Sequence, residues 1–209
     1  MTAVAAAAPP AVPPRLDRAW FDRPAAVLAL ELVGARIVHA SPDGVVGGRI
    51  VEVEAYQGPE DLAAHSSRGR TARNATMFGP PGHCYVYLVY GLHHCLNVVS
   101  GPGSKPEAVL IRALEIDQGR ELARARRGPR APEDRLASGP GNVGQALGID
   151  RQLDGTDLLA GPIHIEPLNA ALPRIRSGPR IGVDYAGPWA ARPLRHWIAD
   201  DVHVSRTRR

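Results

Sequence analysis

The hydrophobic pattern changes period several times along the chain, and each change marks an element. From Pro24 to Val33, Ala, Leu and Val recur at helical spacing, which predicts a first helix ending near Gly34. Arg36 to Ala40, the turn Ser41-Pro42-Asp43-Gly44 and an alternating run from Val45 to Tyr56 predict a hairpin. Pro59 to Ala64, with proline and acidic residues in its first turn, predicts a short helix before a Gly/Arg-rich loop to Asn74. Cys84 to Tyr90 and Leu92 to Ser100 are β-rich runs pivoting at Gly91, a second hairpin, and Ala108 to Glu115 adds a strand after the turn at Gly101 to Lys105. Gly119 to Arg127 predicts a charged helix broken by Gly128-Pro129, and the permissive loop Ser138 to Gly144 leads into a short helix around Gln145 to Leu147. Ile163 to Ile165, Arg180 to Val183 and Leu194 to Ile198 supply further short strands. No repeat is present, and 209 residues suit one well-buried core. The expected fold is mixed α/β (α+β): a single domain built on a curved, largely antiparallel β-sheet, with a protruding β-hairpin and surrounding helices.

The ends stand outside this pattern. Met1 to Pro14 has no apolar period, and its prolines lack amide donors, so residues 1–14 are expected to form a disordered Ala/Pro-rich tail. The domain is expected over 15–205, with a basic tail at 206–209. Neither a basic n-region nor a long apolar run is present, so a signal peptide and a membrane anchor are both unsupported and a cytoplasmic protein is expected. Cys84 and Cys95 are too few for a disulfide framework and read as small buried residues.

Charge narrows the function less than composition does. The formal net charge is +4 and the pI about 9.5, with arginines clustered at 68, 70 and 73, at 124, 126, 127 and 130, and at 206, 208 and 209. Such clusters suit a polyanion, and equally a solvated arginine-rich surface. Lys105 is the only lysine, set in a loop, which disfavours covalent catalysis through a lysine Schiff base.

Side chains alternate across a strand, so in Ile50-Val51-Glu52-Val53-Glu54-Ala55-Tyr56 the apolar set Val51, Val53 and Ala55 lies on one face, with Glu52, Glu54 and Tyr56 on the other. A wet polar face is the ordinary reading of such a strand. Were that face buried, an ionised Glu would need hydrogen bonds or water beside it. His65 follows eleven positions after Glu54. In Tyr85-Val86-Tyr87-Leu88-Val89-Tyr90-Gly91, Tyr85 and Tyr87 share a face, while Tyr90 has the opposite parity and sits at the hairpin tip. A tip aromatic next to a turn glycine is exposed and suits stacking on a partner.

Taken in order, Glu52-Val53-Glu54-Ala55-Tyr56-Gln57-Gly58-Pro59-Glu60-Asp61, Ala63-Ala64-His65-Ser66, Arg73-Asn74, Met77-Phe78, Tyr85 to Gly91 with Asn97, and Leu110-Ile111-Arg112-Ala113-Leu114-Glu115 resemble the alkyladenine (3-methyladenine) DNA glycosylase family. The likeness runs from about Leu16 to Val204. It implies that Glu54 is the general base that activates water for attack on the sugar carbon bearing the damaged base. Carboxylates are anionic at neutral pH, and a negative charge there also stabilises oxocarbenium character. It implies further that Tyr56, His65 and Tyr87 sandwich the flipped base, with Asn97 near the pocket floor excluding guanine through its exocyclic amine. Arg112 is implied near the nucleotide's backbone, Met77 as a groove contact, and Tyr90 as a minor-groove wedge assisted by Leu92. Stacking is worth about 1–3 kcal/mol per base, comparable with the few kcal/mol of extrusion. Alkylated purines such as 3-methyladenine are cationic, which adds cation–π attraction and makes them good leaving groups. No cofactor, no metal, no membrane and no obligate protein partner is implied; the partner is double-stranded DNA containing damaged purines, met by a monomer.

Two departures accompany the resemblance. Asn142 stands where a DNA-contacting lysine is expected, weakening the salt-dependent phosphate contribution. His93 and His94 replace larger apolar residues after the turn. Two rival functions remain. A zinc enzyme could draw on His83-Cys84, His93-His94-Cys95 and His164-Ile165-Glu166, but no cysteine follows residue 95 to complete a deaminase-type site. A non-catalytic nucleic-acid-binding module could use the same tyrosines and arginines, yet would gain nothing from Glu54 beside phosphates.

Overall fold

The computed structural model describes residues 16–168 and 170–205; both tails expected from the sequence, with the arginines at 206, 208 and 209, lie outside them. Two short helices open this region, α1 (Arg18–Phe21), capped by the Asp17 carboxylate, and α2 (Ala25–Leu32). The strands β1 (Arg36–Ser41) and β2 (Gly44–Tyr56) form the first hairpin, and β3 (Cys84–Val89) with β4 (His93–Ser100) the second. Next come β5 (Glu107–Gln118), α3 (Arg120–Arg127), β6 (Ala137–Ser138) and α4 (Pro140–Leu147). The chain finishes with β7 (Ile163–Glu166), β8 (Ile175–Gly178) and β9 (Arg195–Ile198).

Among the described residues these nine strands make one open sheet: six run in the order β3-β4-β5-β2-β1-β7, while β6 pairs with β5, β9 with β2 and β8 with β9. Every pairing is antiparallel, as hairpin connections favour. β2 has β5 along one edge, while its other edge is shared by β1 over the first half and β9 over the second. The strand that carries Glu54 is therefore interior throughout. The expected α+β fold with a protruding hairpin is the fold observed.

Three local readings are corrected. The segment expected as a helix at Pro59 to Ala64 is a run of turns followed by a 3₁₀ turn at His65–Arg68. There the Asp61 carboxylate accepts from the backbone amides of Gln57 and Ala63, both at 3.0 Å, satisfying locally the donors a helix would have used. Arg180 to Val183 is irregular chain, and the strand lies at β8 instead. The helix placed at Gln145 starts earlier, with Pro140 in its first turn, where a missing amide is harmless.

β2 also holds a feature that simple alternation conceals. Its pairing with β5 slips between Ile50 and Glu52. Upstream, Val46 and Ile50 face the core; downstream, Val51, Val53 and Ala55 do. A one-residue bulge exchanges the parity so that one face stays apolar across the whole strand. That core also takes in α2 and α4 through Leu28, Leu32, Val143 and Leu147.

Candidate active site

Downstream of the bulge, the second face of β2 bears Glu52, Glu54 and Tyr56, and it is not the wet face that alternation suggests. Glu52 and Glu54 are both fully buried. Each is satisfied by donors that come mostly from distant chain. The Tyr56 hydroxyl donates to Glu54 Oε2 at 2.9 Å, the Ile181 amide donates to Oε1 at 2.7 Å, and Arg112 Nη1 lies 3.3 Å from Oε2. Glu52 accepts from Arg112 Nε at 3.0 Å, Arg195 Nη1 at 3.4 Å and the Ser205 amide at 2.7 Å. Arg112, buried on β5, thus bridges two carboxylates whose mutual repulsion would otherwise be severe.

The carboxylates differ in what they face. Glu54 lines a cleft of about 310 Å³, whereas Glu52 does not. Most of the residues expected at the site converge on this cleft: Glu54, Tyr56, His65, Tyr87, Asn97 and Arg112 all line it. Its volume is at the small end of the ~300–1,000 Å³ range of ligand pockets. His65 and Tyr87 meet edge to face at 4.5 Å between ring centres, and Tyr85 stacks on Tyr87 at 5.3 Å. His65 Nδ1 shares a 2.9 Å hydrogen bond with the Tyr85 hydroxyl, and Asn74 Nδ2 donates to the His65 carbonyl at 2.9 Å. The His65 ring is thereby held by Tyr85, and its backbone by Asn74. Asn97, opposite Tyr85 in the hairpin register, donates through Nδ2 to the Tyr85 carbonyl at 3.0 Å.

Burial sets the ionisation of the aromatic walls. Desolvation first, and then the charge of Glu54, push the Tyr56 hydroxyl well above its usual range. Desolvation likewise raises Tyr87, and raises Tyr85 to about 12. All three hydroxyls stay protonated at neutral pH. His65 is held below the ordinary imidazole value, first by desolvation and second by the nearby Arg73 charge. It is nevertheless exposed toward the cleft, so solvent screens the effect.

The hairpin tip lies at the mouth of this cleft. Tyr90 is 90% exposed and Leu92 75%. Tyr90 also lines the cleft and adopts φ +52°, a left-handed conformation that ordinary L residues avoid by about 1–2 kcal/mol. Met77 departs from its expected place: it is 2% exposed, packed with Tyr85, Val99 and Ala108, because its 3₁₀ turn folds under the hairpin. It lines the cleft from within and presents no surface to a groove. Asn142 donates to the Ser138 carbonyl at 2.7 Å and so serves its own helix start.

Several lining residues were missed by sequence reasoning. Ile181, Gly182 and Val183 close the cleft from the segment misread as a strand, with Tyr185 just beyond it; Gly182, which adopts φ +75°, was the available signal against a strand. Cys95 lines the cleft too, its thiol raised to about 11 chiefly by burial. Among the described residues the histidines and cysteines weighed as zinc ligands form no group of three: Cys84 is in the main core, and His164 pairs with Glu166 at 3.5 Å. Among the described residues, Glu115, Asp201 and His203 do come together, but Arg49 already contacts both carboxylates, at 2.7 and 2.9 Å. No described helix is long and apolar enough to cross a membrane.

The buried Glu54 carboxylate, the rings of Tyr56, His65 and Tyr87 and the exposed Tyr90 thus meet at one cleft. The chain is similar to proteins of Streptomyces avermitilis (47% identical, over 95% of this chain and 93% of the relative), Methanocella arvoryzae (45%, over 92% and 96%) and Myxococcus xanthus (43%, over 91% and 93%). Each of these carries the name "Putative 3-methyladenine DNA glycosylase". The family described as methylpurine-DNA glycosylase (MPG) matches residues 19–202, which takes in every element from α2 to β9. With nearly the whole fold and the whole cleft inside that match, the chain belongs to the methylpurine-DNA glycosylase family.

Proposed function

We propose that this chain is a monofunctional DNA glycosylase of base excision repair that flips an alkylated purine nucleotide out of duplex DNA and hydrolyses its N-glycosidic bond. The observation that carries the reading is Glu54: a fully buried carboxylate, oriented by three donors, that still faces the aromatic cleft. Tyr90, with Leu92, enters the minor groove and fills the gap in the stack. Tyr56, His65 and Tyr87 receive the base, Asn97 limits the pocket floor, and Met77 closes it from beneath. Glu54 takes a proton from the attacking water and faces the positive charge that develops on the sugar. Arg112 holds Glu54 in place at the cleft wall.

The product follows from the residues present. Lys105 lies 3.2 Å from Glu60 and 3.1 Å from Glu107 and is not in the cleft lining, so water remains the nucleophile and an intact abasic site is left. The protein acts as a cytoplasmic monomer on double-stranded DNA, through a domain over 15–205.

The test is base release from a duplex oligonucleotide carrying one alkylated purine. Wild type releases the base. Glu54→Gln keeps the shape but removes the proton acceptor, so it still binds and releases about 10²–10⁴-fold more slowly. Undiminished release by this variant would falsify the assignment, and a borohydride-trapped protein–DNA adduct would overturn the role of water.

A further inference from the structure

One buried ion pair in the structure is not used by the chemistry above. Arg180 and Asp61 both have fully buried side chains, and among the described residues no other ion pair has both partners so enclosed. The pairing is two-pointed, Nη1 to Oδ2 at 2.5 Å and Nη2 to Oδ1 at 2.8 Å. Neither residue lines the cleft. Apart from a 3.4 Å bond from Arg180 Nη2 to the Trp189 carbonyl, every other bond their side chains make ends at or next to a cleft residue.

Arg180 Nη1 also donates to the Ala55 carbonyl at 2.9 Å, between Glu54 and Tyr56, and the guanidinium carbon lies 4.7 Å from the centre of the Tyr56 ring. The residue after Arg180 is Ile181, whose amide holds Glu54 Oε1. Asp61 accepts from the Gln57 amide, just past Tyr56, and from the Ala63 amide, two residues before His65. One pair therefore joins three stretches of chain: the end of β2, the loop that delivers His65, and the segment 180–183. We infer that Arg180 and Asp61 are positioning residues for the hydrolytic step, fixing Glu54, Tyr56 and His65 relative to one another.

Stability alone does not account for such a pair. Replacing both members of a buried ion pair by uncharged residues is often neutral or stabilising, whereas removing one member strands a charge. Catalysis is more demanding, since a displacement of about 1 Å can slow a reaction roughly 10²-fold. The inference rests on Glu54 being the base.

That contrast supplies the test. The double variant Arg180→Met/Asp61→Asn removes both charges, and Arg180→Lys keeps the charge but loses the fork. Each is compared with wild type for thermal midpoint, for affinity toward a duplex containing an abasic site, and for single-turnover release of one alkylated purine. The expected result is a folded double variant with DNA affinity within about threefold of wild type but release at least about 100-fold slower, Arg180→Lys being intermediate. Wild-type release by a folded variant, or a rate loss matched by lost DNA affinity, overturns the inference. Should the double variant not fold, Arg180→Lys decides by the same two readings. Wild type and Glu54→Gln run alongside separate the two claims: no release by wild type, or full release by Glu54→Gln, removes the reading of the site itself. Normal controls with unimpaired Arg180 variants remove this inference alone.

Discussion

Glu52 and Glu54 are the same residue type, two positions apart, equally buried, and bridged by one arginine. Their roles are nonetheless separable by substitution. Glu52→Gln leaves one carbonyl oxygen where a carboxylate accepted from Arg112, Arg195 and the Ser205 amide. It also turns an amide NH₂ toward at least one of those donors. Breaking a buried ion pair by altering one partner costs about 3–5 kcal/mol, and because Glu54 still accompanies Arg112 the low end, about 3 kcal/mol, is expected. For a domain of this size about 2–4 °C of melting temperature goes with each kcal/mol, so the midpoint falls by about 6–12 °C. Release measured well below that midpoint stays within about tenfold of wild type, because Glu52 has no face on the cleft. The assay is calorimetry or urea unfolding at pH 7, paired with single-turnover base release on the same preparation. A Glu52→Gln protein with wild-type stability and abolished release would refute the reasoning, because it would make Glu52 the base.

Three further outcomes are expected. Tyr90→Ser leaves thermal stability within about 0.5 kcal/mol of wild type, as surface changes do, while lowering affinity for lesion DNA; a large loss of stability would show that the tip packs inward. Gly144→Ala sets a methyl group 2.1 Å from the His94 carbonyl oxygen, where α4 crosses β4, so it destabilises by about 1–3 kcal/mol or more; an unchanged urea midpoint would contradict that contact. His65 binds its proton at lower pH when folded than when unfolded, where the ordinary value is 6.5. Acidification through 6.5 therefore favours the unfolded chain, and this loss levels off below the folded value. His65→Gln should accordingly flatten the stability decline that begins as pH falls through 6.5; an identical decline in that variant would rule His65 out as its source.

Much of the architecture was legible because it is local. Both hairpins follow from alternating runs broken by Ser41-Pro42-Asp43-Gly44 and by Gly91, and the facing of Val51, Val53 and Ala55 follows from strand parity. The bulge was hidden for a local reason as well. Ile50 and Val51 are both apolar, so a one-residue insertion between two inward-facing runs leaves no polar residue to betray it. The run at 138–144 read as loop because glycine disfavours helices, whereas Gly141 and Gly144 are there so that α4 can approach His93 and the His94 backbone. Which face of β2 was wet could not be read at all. What buries Glu52 and Glu54 comes from Ile181, Arg195 and Ser205, more than a hundred residues on, and no periodicity records that return.

The arginines make the same point about charge. Net charge and clustering left nucleic acid and a merely solvated surface equally open, because a sequence counts charges without subtracting those already engaged. In the fold, the cluster on α3 is largely spoken for: Arg124 meets Glu133, Arg126 donates to the Ala146 carbonyl and to Ser41, and Arg127 donates to the Leu136 carbonyl. These guanidiniums hold α3 against α4 and the sheet. Arg68 and Arg70, by contrast, are exposed on the loop that follows His65, while Arg73, also exposed, donates to the Leu88 carbonyl at 3.1 Å and lies 5.5 Å from the Tyr87 ring centre; Arg68 and Arg73 line a second groove of about 470 Å³ that shares His65, Tyr85 and Tyr185 with the aromatic cleft. Among the described residues, Arg68 and Arg70 thus leave positive charge exposed to solvent beside the cleft, which ion-paired arginines elsewhere in the fold do not.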